Sequence, residues 1–585
     1  MKKNKPTQTI RRPEDSVFLC IKQLIIKNPF QLSAVVFVCL IAYGFFATKY
    51  TYHIDSLESS YYDGVTLISA GRFVAPFIHR ITNWMAFSPF WQTVMFCGIL
   101  VIAGLFYAVL LKRESGNRIS DKELFFFVML FVSSPLMVGQ LTFPNLNIAL
   151  SFVLVPLAIW MMDPSNKPSI KRFIAGVLLM VPAIDMYESF APVFFVCCFF
   201  VLLLRYYFDR DSDLNGKKYL LVFVQRVLYF VAVITFAIII DYGLSKIICK
   251  IFTGSFDYWY SGNTVTYWFN TSSSLHTSLK KLFSLLIIDL FLTPAEHFWA
   301  FLFDASFVFL GVTTLAVSIK KIKKSGILKC LIGISCFVLM FAFSKALDII
   351  MFKTAPLRTM QPVLLFISFA GLIFAYSVGR IKSKQIKSIG VFVCLLILLL
   401  QTQTLNNFAV RNQERFNYED HILTAVCDDL CKMDIQNKNV CFYSPKDYCL
   451  PKAFQFTPSA NPSAKRFRAA VFSVWNKLMP ASFIDFLNRY FESEGPFHSA
   501  EDCLRLRITY TEAEVSYLHA IAAWKGQYDL PKNTFERKGL ILNIVPQDEE
   551  KLDAYYEQTV FGKGEKYRII EEGDLITVIF IKPDY

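Results

Sequence analysis

Apolar stretches of about 20 residues, each long enough to cross about 30 Å of hydrocarbon, recur along the first part of this chain and then stop. They fall near 29–48, 89–111, 123–141, 146–162, 173–187, 189–204, 219–245, 298–318, 327–350, 361–379 and 388–405. A chain with 54% hydrophobic and only 18% charged residues, and a mean hydropathy of +0.42, does not read as soluble. The expected fold is a polytopic α-helical membrane protein of about 11 transmembrane helices. Beyond residue 405 the sequence becomes mixed and charged, and the segment 406–585 is long enough to bury a core of its own. There "NVCFY" and "LITVIFI" read as strands, "SAKRFRAAVFSVWNKLM" and "EAEVSYLHAIAAW" as helices, so this part is expected to be a mixed α/β soluble domain.

The net charge of +14 is an orientation signal. The N-terminal segment 1–28 is basic (Lys2, Lys3, Lys5, Arg11, Arg12), and alternate loops carry the Lys/Arg excess. These are Lys112 to Lys122, Lys167 to Arg172, Arg205 to Lys218, "KKIKKSGILK" at Lys320 to Lys329, and Arg380 to Lys387. Every second loop obeys the positive-inside rule, which accounts for the charge without nucleic acid. The N-terminus is thereby expected in the cytoplasm, with the first apolar segment an uncleaved signal anchor that lacks a small-residue cleavage pattern. The membrane part is 29–405, with outer loops 49–88, 246–297 and 351–360, and the domain 406–585 lies outside. The pair 173–187 and 189–204, joined tightly at "DMYES", reads either as two spans or as a re-entrant pair with the same outer face.

Three outer loops carry polar groups. The first holds Asp55, Glu58, Asp63 and Arg72. Asp63-Gly64 can cap a helix beginning near Val65, with Phe73, Val74, Phe77, Ile78, Ile81, Trp84 and Met85 on one face and Ser69, Arg72, His79 and Asn83 opposite. That pattern predicts a helix in the interface plane, kinked at Pro76. The second, "FDYWYSGNTVTYWFN", is rich in aromatic residues including Trp259, and reads either as a sugar-stacking platform or as an interfacial aromatic belt. The third, "SKALDIIMFKTAPLRTMQP", places Lys345, Asp348, Lys353 and Arg358 where few cations belong. Arg358 suits an anionic headgroup or phosphate, or simply snorkels to the interface.

Other motifs are set aside. "DSD" at Asp211 to Asp213 resembles the metal–nucleotide-sugar signature of soluble glycosyltransferases, but it stands in a short loop and reads as a solvated turn. There is no P-loop, GxGxxG, GxSxG or HExxH, and no zinc-ligand spacing, so no metal or other cofactor is indicated. Cys427, Cys431, Cys441, Cys449 and Cys503 fall in the outer domain, where some can pair.

The succession of "GRFVAPFIHRI" after an acid, "MYESFAPVFF", "APLRTMQP", "LNNFAVRNQERFNYEDHILTAVCDDL" and the terminal "TVFGKGEKYRIIEEGDLITVIF" resembles the GtrII-type bacterial O-antigen glucosyltransferase family, along nearly the whole chain. Two departures stand out: the family's adjacent acids read here as Asp55-Ser56, and Glu188 stands where the family more often has Gln. The resemblance implies a GT-C-like architecture and a polyprenyl-phosphate glucose donor, used on the periplasmic face of the bacterial inner membrane. It also implies an acceptor polysaccharide or lipid-linked glycan, and a functional link to a lipid-sugar synthase and a small flippase.

The residues fit that chemistry. Phosphate is already a good leaving group, so one base and nearby cations suffice, and a single displacement inverts the anomeric centre. Asp55 is the expected base, with Glu58 as second carboxylate. Arg72, Arg358 and Lys353 are expected at the donor phosphate, and His79, Tyr187, Glu188 and Trp259 at sugar or acceptor hydroxyls. A transporter or flippase of lipid-linked saccharides shares this topology. It would need polar groups through the bundle interior, which are few here (Gln225, Arg226 and Asp241 in span seven), and no internal repeat is visible.

Overall fold

The computed structural model of the chain describes residues 16–48, 68, 71–82, 89–137, 146–164, 168–211, 214, 216–254, 256, 298–347, 359–433, 435, 438–444, 535, 538, 540–545, 549–562 and 565–581. Asp55, Glu58, Trp259, Lys353 and Arg358 lie outside them, as do Cys449, Cys503 and both helices expected within 463–524. For His79 only the backbone is described.

The helices are α1 (Val17–Lys27), α2 (Pro29–Thr48), α3 (Val74–Thr82), α4 (Pro89–Glu114), α5 (Asp121–Val132), α6 (Leu146–Met162), α7 (Ile170–Met186), α8 (Phe190–Tyr207) and α9 (Gly216–Thr253). They continue with α10 (Phe298–Ser344), α11 (Gln361–Gly379), α12 (Lys384–Lys432) and α13 (Glu549–Gln558). Eight helical stretches among the described residues are long and apolar enough to cross a membrane: α2, most of α4, α8, α9, the two halves of α10, α11 and part of α12. The apolar helix α6 is shorter. The expected span 123–141 is interrupted: α5 stops at Val132, and a short 3-10 turn, Pro135–Met137, follows. Pro135 disfavours helical geometry at Ser134, and the Ser133 hydroxyl instead reaches Met129 O at 2.8 Å and Gln401 Oε1 at 3.0 Å.

Burial separates centre from rim. Nearly every residue of α8 is buried, whereas few of α9 are, and α9 presents Leu221, Ile239 and Ile251 outward. That inverts the soluble pattern, because lipid is as apolar as the core and rewards packing rather than burial. The centre is aromatic: Phe369 of α11 stacks on Phe200 of α8 at 4.0 Å and on Phe127 of α5 at 5.6 Å. Helix α10 is a hairpin of two helices that turns at Gly326 (φ 78°), a backbone region that a side chain strongly disfavours. Its halves pack through Phe307 with Phe337 and Phe341, and the Cys330 thiol donates to Ser318 O at 3.2 Å.

Glycines permit the closest approaches. A Cβ on Gly333 would meet the Tyr206 ring, one on Gly371 the side chain of Leu130, and one on Gly104 that of Val128. Tyr206 is itself held by a 2.9 Å bond to Ser318 Oγ and cannot swing away freely. Gly333→Ala is therefore expected to cost about 1–3 kcal/mol, read as a fall in the melting midpoint of the detergent-solubilised protein. An unchanged midpoint would mean that α8 and α10 are more loosely apposed than described.

The Lys/Arg-rich connections collect at one end of the bundle. Asn28 donates to Asp121, which pairs with Lys112; Arg113 lies 4.1 Å from the Trp160 ring; Arg172 pairs with Asp163. Arg380 donates to Arg118 O and Glu123, and Lys321 to Asp209. At the centre of this end, Arg205 joins Glu114 (2.9 Å) and Asp211 (2.7 Å), and Arg226 also binds Asp211 (2.8 Å). Asp211 is thus no solvated turn. Its side chain is 10% exposed and clasped by two guanidinium groups, a partnership between distant residues that a short motif cannot reveal. Burial alone would raise its carboxyl, but the bonds from Arg226 and Arg205 outweigh that and hold it well below the usual carboxylate range.

Helix α12 passes without a break through residue 406 and enters a second core. There Ile422, Leu423, Val426 and Leu430 pack on Val440, Phe442, Ile576, Val578 and Phe580. The sheet has the order β2-β1-β4-β3, from β1 (Asn439–Tyr443), β2 (Asn543–Ile544), β3 (Tyr567–Glu572) and β4 (Leu575–Phe580). Strand β1 runs parallel to β2 and β4, and β3 is antiparallel to β4. Both strands expected from the sequence are present. Cys427, Cys431 and Cys441 are free thiols.

Candidate functional site

The polar cluster lies at the opposite end. Ser245 of α9 stands 19 residues beyond Arg226, about 28 Å along the helix at about 1.5 Å per residue, close to the thickness of a bilayer core. Its hydroxyl donates to Gly71 O at 2.9 Å. Gly71 turns the chain with φ 84°, and its amide closes the turn on Ile68 O at 2.9 Å. Helix α3 then begins at Val74, and the start expected near Val65 lies outside the described residues. Asp63 also lies outside the described residues, and the cap of α3 comes from across the fold. Asp185, at the end of α7 and 3% exposed, accepts from the Phe73 amide (2.9 Å) and the Val74 amide (2.7 Å), one with each oxygen. Those are amides at a helix start, which have no partner within their own helix. Pro76 consequently falls in the first turn, where its missing N–H removes no hydrogen bond, and is no mid-helix kink. Phe77 (66% exposed) and Ile81 point outward while Ala75 packs inward, which fits a helix lying along an apolar surface.

Between the two anchored residues sits Arg72. Its guanidinium carbon lies 5.1 Å from the centroid of the Tyr187 ring, in cation–π contact. Its Nε is buried and has no hydrogen-bond partner among the described residues. Tyr187 follows Asp185 by two residues, and Glu188 is exposed beside it. Arg72 and Glu188 both lie within electrostatic reach of Asp185, and Asp241 of α9 within reach of Asp185 and Glu188. The next residue, Ser189, donates to Gln361 at 2.8 Å and ties α8 to the start of α11. A second pair, Asp304 and Lys345, faces each other electrostatically where the hairpin α10 ends, with Lys345 4.9 Å from the Phe303 ring.

Three residues expected from the sequence, Arg72, Tyr187 and Glu188, are therefore brought together, although 115 positions separate the first two. Asp185 and Asp241 were not singled out as site residues, yet a carboxylate inside an otherwise apolar run was signal enough to find both. No group of three His, Cys, Asp or Glu residues suited to a metal ion occurs among the described residues. Chemically, the arrangement offers a cation held over an aromatic ring beside exposed and half-buried carboxylates, a set suited to an anionic group carrying hydroxyls.

A family model, Glucosyl transferase GtrII, matches residues 44–375, more than half of the chain and the whole of this site. The chain belongs to that family. The match takes in the "GRFVAPFIHRI", "MYESFAPVFF" and "APLRTMQP" stretches and leaves the two C-terminal stretches outside. No curated protein and no solved structure matches the chain. Membership of the GtrII family makes this a glucosyl transferase, and the long apolar helices point to a membrane protein.

Proposed function

We propose that this GtrII-family protein transfers a glucosyl residue from a polyprenyl-phosphate sugar to a cell-surface polysaccharide such as O-antigen, at the periplasmic face of the inner membrane. The observation that carries the reading is the meeting of Arg72, Tyr187 and Glu188 at the end of the bundle opposite the Lys/Arg-rich connections. Positive charge favours the cytoplasmic side, so the Arg72 end is taken as periplasmic. Arg72 and its neighbours stand where a lipid-linked phosphate would present its sugar, with Arg358 and Lys353 as further cations for the leaving phosphate. Asp55 takes the acceptor proton in a single displacement that inverts the anomeric centre, with Glu58 in support. Thr48 and Gly71 bound the segment that carries both acids, and α2 leads it away from the basic end. Tyr187, Glu188, His79 and Trp259 contact sugar or acceptor hydroxyls. The fold would be GT-C-like, with the sheet domain toward the acceptor and no metal required.

The test is transfer from synthetic polyprenyl-phosphate glucose to a lipid-linked acceptor glycan by the purified protein. Wild type is expected to transfer, and Arg72→Ala to raise the donor KM by about 10-fold or more. Absence of transfer from several polyprenyl-phosphate sugars, together with movement of the lipid across vesicles, would replace this reading with a lipid-saccharide flippase.

A further inference from the structure

We infer that Asp185 and Ser245 are positioning residues that clamp the peptide on both sides of Arg72 and thereby aim its guanidinium at the donor phosphate. This rests on the glucosyl-transfer reading above. The clamp has two jaws from two different helices. On the N-terminal side, Ser245 of α9 donates to Gly71 O at 2.9 Å. On the C-terminal side, both oxygens of Asp185 accept the amides of Phe73 and Val74, at 2.9 and 2.7 Å. Arg72 is the single residue between the jaws. Its side chain then rests on Tyr187, which belongs to the same turn of chain as Asp185.

The physical consequence follows from how Asp185 is used. Each of its two oxygens accepts a main-chain amide, so what the carboxylate does here is hold the chain that follows Arg72. A carboxylate that accepts two N–H donors cannot be replaced by an amide: asparagine offers one oxygen and turns an NH2 group toward the second N–H. A residue whose side chain must meet a phosphate within a few tenths of an ångström depends on such support, and a misplacement of about 1 Å can cost about 100-fold. The clamp pins the N-terminus of α3, while Ala75 and Ile78 pack on the bundle, so cutting the clamp bears first on Arg72 and the start of the helix.

Asp185→Asn is expected to weaken binding of polyprenyl monophosphate, and to raise the donor KM, by about 10- to 100-fold with kcat changed far less. Ser245→Ala, which removes one bond of three, is expected to give a smaller shift in the same direction. In an Arg72→Ala background neither substitution should add anything, because the residue they position is gone. Asp185→Glu, which keeps two acceptor oxygens, should recover part of the loss. Hydrogen exchange across residues 71–82 should quicken in Asp185→Asn, a readout that needs no turnover. Unchanged lipid-phosphate affinity, a fall in kcat alone, or effects that add to Arg72→Ala would overturn the clamp. If Asp185→Asn does not fold, the Ser245→Ala and Arg72→Ala cycle decides alone. If wild type transfers no sugar while exchange at 71–82 still responds to Asp185→Asn, the transferase reading fails and the clamp stands as an anchor of α3.

Discussion

Asp55→Asn is expected to lower glucosyl transfer by about 10²–10⁴-fold, the usual worth of a general base, without lowering the melting midpoint. Asparagine keeps the size and hydrogen-bonding reach of the side chain but cannot take a proton from the acceptor hydroxyl. The phosphate leaving group needs no acid, so no second carboxylate would mask the loss. The donor KM should hardly move, which separates this defect from that of Arg72→Ala, where affinity for the lipid phosphate fails instead. Initial rates at saturating donor, measured beside the melting curve of each variant, provide the check. Full activity in Asp55→Asn with loss in Glu58→Gln would transfer the role to Glu58 and leave the reaction class intact. Among the carboxylates at the described site, Asp185 holds main-chain amides with both oxygens and is assigned the positioning role.

Arg205→Met is expected to destabilise the protein by about 3–5 kcal/mol. The substitution removes the cation that joins Glu114, 0% exposed, to Asp211, 10% exposed. Methionine fills much of the volume, so the cost arises from charge: Glu114 keeps only Arg113, and Asp211 keeps only Arg226, among their ion-pair partners on these described residues. A carboxylate left buried with too few partners costs far more than the intact pair contributes. Loss of folded protein during detergent extraction, or a fall in melting midpoint of many degrees, would be the observation. A midpoint within a degree or two of wild type would mean that water reaches this end of the bundle and solvates the acids.

Acid should act on the same cluster in a defined direction. The Asp211 carboxyl is held below its unfolded value of about 3.9. Its contribution is therefore complete above about pH 4 and lost only as the pH falls through the lower folded value. The pair should thus be insensitive to pH across the range in which transfer would be assayed.

Much of the architecture was legible because membrane helices announce themselves locally. A run of apolar residues the length of a bilayer core has few structures open to it, so α2 and α11 coincide with the stretches 29–48 and 361–379. Strands β1 and β4 were readable from period and β-branched content, and Gly326 sits within the basic turn expected between two spans. The positive-inside pattern also foreshadowed which connections would share an end.

What the sequence could not disclose is partnership across the fold. A proton-bearing or charged side chain looks the same in a string whether it caps a helix, lines a site or pairs with an arginine. Nothing in the string names a distant residue to cap α3. Asp185 does so from 111 residues beyond Val74, since only the packing of α7 against α3 brings its carboxylate to those amides. Asp211 in "DSD" reads as a surface turn until α9 brings Arg226 to it. Sequence alone determined that this chain has runs long and apolar enough to cross a membrane, which connections are basic, and that Arg72, Tyr187 and Glu188 belong to polar breaks in an apolar chain. Tertiary structure decided that those breaks meet at one place, because apolar length is a local property whereas the energy of a buried charge depends on what the rest of the chain brings beside it.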